Sequence, residues 1–268
     1  RSIEKFPKGN VSGTFFHEIL ENLDFSEKDA EVKENLIAEK LQKYGFESVW
    51  LETVCNTINT VISIPLISDT ESFCLSYIPK KDTCKEMEFY HPIRSLSPEL
   101  LESVFNNFLK ISMDYSLPQK IESLEFQPIN GFMHGFIDCL LKYRGKYYLI
   151  DWKSNFLGEE KEDYAPEELI EPMTANYYFL QYYIYTLAVD TYLKSRLSEY
   201  SYERHFGGVF YIFLRGVSGE GWGEVDEVYA ADGLGDNSNN SKQSYGVYFD
   251  KPDKSVIKKL SGELIYKI

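Results

Sequence analysis

Along the first quarter of the chain, apolar side chains at 15, 16, 19, 20 and 23 recur with the period of a helix, which predicts a helical segment over residues 12–23. A more charged helix is predicted over 30–44, ending near Gly45, and a third over 47–64, stopped by Pro65. Residues 87–92 read as a short strand and 98–112 as an amphipathic helix. The apolar runs then become strand-like. Residues 131–143 and 147–153 are predicted strands joined by the turn Arg144-Gly145-Lys146, a β-hairpin. An acidic, proline-containing stretch over 158–172 is expected to be a solvated, mobile loop. Beyond it a long aromatic helix is predicted over 174–200, a buried strand over 207–214, a Gly/Asn/Ser-rich loop over 216–244, a strand over 245–249 and a helix from about Lys254. Helices flanking a mixed sheet make the expected class α/β, with an N-terminal helical region over 1–125 and a core over 126–268 that together form one compact domain.

Composition narrows this little. The 268 residues are 43% hydrophobic and 26% charged, and 21 Tyr with 18 Phe suffice for a packed interior. No apolar run has the length of a membrane span and no signal peptide opens the chain, so a cytoplasmic protein with no membrane partner is expected. The chain starts at Arg1, which suggests a piece of a longer polypeptide. Its four cysteines lack the spacing of a zinc site and are read as reduced thiols. The net charge of −14 argues against autonomous DNA affinity, because a free-standing DNA binder neutralises phosphates with a basic footprint.

Candidate chemistry lies in the hairpin. Asp138 and Asp151 sit on its two arms in the pattern D-x12-D-x-K completed by Lys153, and alternation puts Asp151 and Lys153 on one face. Two carboxylates within such apolar strands need a neutralising partner, and a divalent cation supplies one. The same triplet also describes an ordinary surface ion pair; the apolar setting, GFIDCLL and YYLIDWK, favours the site. His17, near a helix start, is by spacing alone more often a core or surface residue than a ligand. Gln181 and Tyr185 share a helical face and suit either a phosphate contact or a polar rim. Glu88 is an auxiliary acid or simply solvent-facing. No GxxxxGK[ST], HExxH or GxSxG occurs, so phosphate-loop ATPases, zincins and serine hydrolases of that type are disfavoured.

The stretches SGTFFH, GFESVW, MEFYHPI, GFIDCL, YYLIDWKSNFLGE, LQYYIYTLA and HFGGVFYIFLRGV resemble the C-terminal nuclease domain of RecB-type helicase–nuclease subunits (exodeoxyribonuclease V), a branch of the PD-(D/E)XK superfamily with a restriction-endonuclease-like fold. The resemblance implies a Mg²⁺-dependent DNA nuclease of double-strand break repair and recombination, with one ion per site, Mn²⁺ as substitute and Ca²⁺ as inhibitor. It implies His17, Asp138 and Asp151 as metal ligands, Asp138, Asp151 and Lys153 as catalytic residues, and Gln181 and Tyr185 as the QxxxY element facing substrate. Glu88 falls near an acidic position of the family, and Trp152 stands where the family often has Tyr. Implied partners are DNA strands delivered by a helicase motor, RecC- and RecD-like subunits and a RecA-like recombinase, and delivery of DNA by the motor would explain the acidic charge. Two other readings remain open: a catalytically silent module that docks a recombinase, and a metal-free hydrolase using the two aspartates as acid and base.

Overall fold

The computed structural model describes residues 1–93, 131–218 and 244–264. The expected helix over 98–112, the boundary between the two predicted regions and most of the polar stretch over 216–244 lie outside them.

Three helices open the chain: α1 (Asn10–Asn22), α2 (Ala30–Lys43) and α3 (Leu51–Ser63). The side chain of Asp29 caps α2 by accepting the Glu31 N–H at 2.9 Å. A two-stranded ribbon follows, β1 (Leu66–Ile67) with β2 (Ser72–Phe73). The central sheet comprises β3 (Thr83–Ile93), β4 (Gly131–Tyr143), β5 (Lys146–Lys153), β6 (Phe206–Phe213) and β7 (Val247–Asp250), in spatial order 3-4-5-6-7. All neighbours are antiparallel except β5 and β6. That parallel pair is joined by a helical crossover, α4 (Ile170–Ala175), α5 (Tyr178–Arg196) and the single turn α6 (Tyr202–His205). Helix α7 (Lys254–Leu264) closes the described chain.

The sheet separates two cores. Leu149, Val209, Tyr211 and Phe213 pack on one face against Phe179, Leu187, Val256 and Leu260 of α5 and α7. Ile150, Trp152, Phe210 and Ile212 pack on the other against Phe15, Phe16, Ile19, Val54 and Ile58 of α1 and α3. Because both faces are covered, β6 is buried at every position, and so its sequence reads as a continuous apolar run.

Two expectations change. The stretch over 158–172 is anchored rather than loose. Tyr164 is fully buried, its hydroxyl accepts the Leu157 N–H at 3.0 Å, and its carbonyl accepts the Gly246 N–H at 2.7 Å. Its acidic residues are solvated, but one aromatic pins it. The predicted long helix over 174–200 is two helices, broken at Tyr177, whose φ of 56° is left-handed and cannot continue an α-helix.

Candidate metal and phosphodiester site

The site forms where β4 and β5 separate. Their pairing ends at Cys139–Ile150, which leaves Asp138 and Asp151 as the next opposed positions. Asp138 Oδ2 accepts the Trp152 N–H at 2.8 Å across the widening gap. Trp152 itself points into the N-terminal core beside Phe25, so its side chain lies away from the acids as alternation requires.

Helix α1 brings His17 to the same gap and is tied down at both ends. At its start, the buried guanidinium of Arg215 donates to the carbonyls of Ile3 (3.0 Å), Phe6 (2.9 Å), Pro7 (2.7 Å) and Ser154 (2.9 Å), joining residues 3–7 to the segment after β5. At its end, Lys85 of β3 donates to the carbonyls of Leu20 (2.7 Å) and Leu23, a cation on the negative end of the helix dipole. Burial pushes the Lys85 ammonium down to about 8. Gly13 lets the helix approach closely, since a Cβ there would lie 3.2 Å from Ser154 Oγ.

His17 Nε2 lies 2.9 Å from the Trp152 carbonyl, which can only accept, so Nε2 carries the proton of that bond. Nδ1 then faces Asp138 Oδ1 at 3.5 Å. Burial alone would lower the imidazole's proton affinity, but the hydrogen bond and charge of Asp138, with Asp151 behind, outweigh it and raise the pKa.

Glu86 completes this group: ligand atoms of His17, Glu86 and Asp138 lie within 4.8 Å of one another. The sequence offered Glu88 as an auxiliary acid, with a solvent-facing position preferred, and did not single out Glu86; the register places Glu88 outside the site. Lys85 pairs with Cys139 and Met87 with Ile137, which leaves Glu86 opposite Asp138, whereas Glu88 pairs with Phe136 two residues further out. Glu88 is exposed and bonded to Tyr90 and His134. Glu86 also has a φ of 48°, a left-handed conformation rare for a non-glycine in a strand and worth about 1–3 kcal/mol of strain. Burial, then the charge of Asp138, raises its carboxyl pKa.

Asp151 is buried against Lys153, whose ammonium pairs with its Oδ1. Burial and the charge of Asp138 push the Asp151 carboxyl up, against the pull of Lys153 and His17. Lys153 Nζ donates to Gln181 Oε1 at 3.1 Å and sits 4.0 Å from the Tyr178 ring centroid. Gln181 Oε1 also accepts from Tyr211 (3.1 Å), and its Nε2 donates to the Tyr185 hydroxyl (2.9 Å). His17 and Asp138 thus form one group, joined through the Trp152 backbone, and Asp151, Lys153, Gln181 and Tyr185 form a second beside it.

The donor set suits a hard divalent cation. Glu86, Asp138 and Asp151 crowd negative charge that Lys153 alone does not balance, and His17 Nδ1 is turned towards Asp138. A cavity of about 840 Å³ opens beside the group, lined by Lys8, Thr14, His17, Glu86, Lys153 and Asn155 among others, so a substrate has access.

No protein-family model matches the chain. It is similar to the RecBCD enzyme subunit RecB of Escherichia coli, 40% identical over 217 residues that are 81% of this chain and 18% of that protein. The Haemophilus influenzae RecB subunit is 36% identical over 97% of the chain and 19% of its own length, and that of Buchnera aphidicola from Schizaphis graminum 32% identical over 100% and 20%. The chain therefore spans about a fifth of the curated relatives it matches. Identity at this level across most of the chain, with a five-stranded mixed sheet flanked by helices, shows that the chain belongs with the RecB subunits as a homologue of their C-terminal nuclease-domain region.

Proposed function

We propose that the chain is a Mg²⁺-dependent DNA phosphodiesterase acting on DNA ends within a RecBCD-type helicase–nuclease during double-strand break repair and recombination. The observation that carries this reading is the meeting of His17, Glu86 and Asp138 at a split in the sheet, next to the buried Asp151–Lys153 pair. His17, Asp138 and Asp151, assisted by Glu86, would hold the ion. When bound, it supplies Lewis-acid polarisation of a non-bridging phosphate oxygen and a lowered pKa for its water. Lys153, fixed by Gln181 and the Tyr178 ring, aims its ammonium into the cleft, where it can orient the attacking water or offset charge growing on the phosphoryl group. Gln181 and Tyr185 hold that lysine from behind.

The acidic surface fits a nuclease that is handed its substrate. A motor on the same polypeptide would deliver single strands, RecC- and RecD-like subunits would channel them, and tethering would replace affinity with effective concentration. A RecA-like recombinase is a further partner in this reading. The test is cleavage of single-stranded oligonucleotides with Mg²⁺ or Mn²⁺, by this chain and by the same chain joined to its motor. Activity should vanish with EDTA and in Asp138→Asn, and should fall by roughly a hundred- to a thousandfold in Lys153→Ala. If the tethered form cuts nothing with either metal, the proposal is wrong.

A further inference from the structure

The N-terminal helices cover their face of the sheet as far as Asp138, and beyond it, among the described residues, an aromatic surface continues outward along β4 and β3. Phe136 precedes Asp138 by two residues, His134 by four, and Tyr90 is the cross-strand partner of His134. Alternation keeps His134 and Phe136 on one side of β4, about 6.6 Å apart, while Ile137 enters the opposite core; the pattern shifts at Asp138, beyond which Cys139 enters the N-terminal core. These rings are open to solvent: Tyr90 is 59% exposed and Phe136 45%.

They are also held in place. The Tyr90 and His134 rings stack at 4.4 Å with 11° between planes, and His134 meets Phe136 edge-on at 5.1 Å. Glu88 accepts from the Tyr90 hydroxyl at 2.8 Å and contacts His134 Nε2 at 2.9 Å, fixing both rings from one carboxylate. Exposed aromatics ordered this way lose little further rotamer freedom when something stacks on them. With a net charge of −14 the chain has little electrostatic grip on a strand, whereas stacking on a ring needs no positive charge.

We propose that Tyr90, His134 and Phe136 form a stacking platform for the unpaired bases of a single DNA strand whose scissile phosphate lies at Asp138. This rests on the nuclease reading above and adds to it a preference for unpaired, base-bearing strands, because a duplex keeps its base faces covered.

A 5-iodouracil oligonucleotide, which photo-cross-links to aromatic side chains stacked on it, tests this on the 268-residue chain without requiring catalysis. Irradiation with Ca²⁺ or EDTA should yield adducts mapping to Tyr90, His134 or Phe136, lost in Tyr90→Ala/Phe136→Ala. In Mg²⁺ the double variant should show KM raised about tenfold or more for a base-bearing strand with kcat retained. An abasic strand should not distinguish it from the unaltered chain. Phe136→Leu, which keeps apolar bulk but removes the ring, should share the defect. Adducts confined to other residues, or equal KM for both chains on the base-bearing strand, would overturn the platform. An adduct at these rings, with no metal-dependent cleavage by the chain joined to its motor, would remove the nuclease reading and leave the platform standing.

Discussion

Arg215 is 2% exposed and, among the described residues, has no carboxylate partner in hydrogen-bonding range; the four bonds it makes there all go to main-chain carbonyls, three of them in residues 3–7. Replacing it with alanine strips those carbonyls of their donor and unties the segment leading into α1. Hydrogen bonds from a charged donor contribute about 1.5–3 kcal/mol each, but two effects reduce the sum. Burial already disfavours the guanidinium, lowering its pKa, and that penalty disappears with the side chain. Pro7 and Ser154 carbonyls also lie nearer solvent and recover water. Arg215→Ala should therefore destabilise by about 3–4 kcal/mol, a large share of the roughly 5–15 kcal/mol of a typical domain. Arg215→Lys, with a compact ammonium in place of the planar fork, should lose about half as much. Urea unfolding gives the magnitude, and amide exchange locates it, because residues 3–13 should lose protection first. Mn²⁺ affinity should fall as well, since α1 carries His17. A loss under about 1 kcal/mol with unchanged exchange near the N-terminus would refute the clamp.

Four further outcomes follow from the site and its supports. Glu86→Gln should weaken Mn²⁺ binding measured by calorimetry by tenfold or more, while Glu88→Gln should leave it unchanged; the reverse order would restore Glu88 to the site. Lys153→Ala should lower kcat on single-stranded DNA by roughly a hundred- to a thousandfold without abolishing metal binding. Gln181→Ala, which frees the Lys153 ammonium, should lower kcat about tenfold, the equivalent of one hydrogen bond, and equal loss in both lysine and glutamine variants would show that Gln181 does more than position. Asp250 is half-buried and accepts the Tyr182 hydroxyl at 2.6 Å, and desolvation raises its pKa above the unfolded value. Between the two values the folded state holds the extra proton, so this group's favourable contribution is present at low pH and is lost as pH rises through the folded pKa. The stability of Asp250→Asn relative to the unaltered chain should accordingly improve from pH 4 towards pH 7, and a flat difference would count against it.

Elements with one dominant local signal were legible in the sequence. The period of α1, the apolar run of β6 and the turn Arg144-Gly145-Lys146 each decide their own conformation, and their observed bounds fall within one or two residues of those expected. The hairpin acids were legible too, because a carboxylate amid GFIDCLL and YYLIDWK is conspicuous wherever the strands go. What stayed hidden depends on register or on distant packing. No local pattern reveals that Arg215 reaches back to residues 3–7, or that Tyr164 is buried within an acidic stretch, since both are settled by what packs against them. Glu86 is the sharper case. Glu86 and Glu88 lie on the same side of a regular strand, and only the pairing of β3 with β4 decides which meets Asp138. The left-handed φ at Glu86 then departs from the strand geometry on which any reading by alternation relies. Lys85 reaches α1 while Met87 packs on the opposite core, so β3 changes face at Glu86, whose carboxylate comes within 4.8 Å of ligand atoms of His17 and Asp138. The irregularity that hid Glu86 from sequence reasoning is thus the same one that aims its carboxylate into the site.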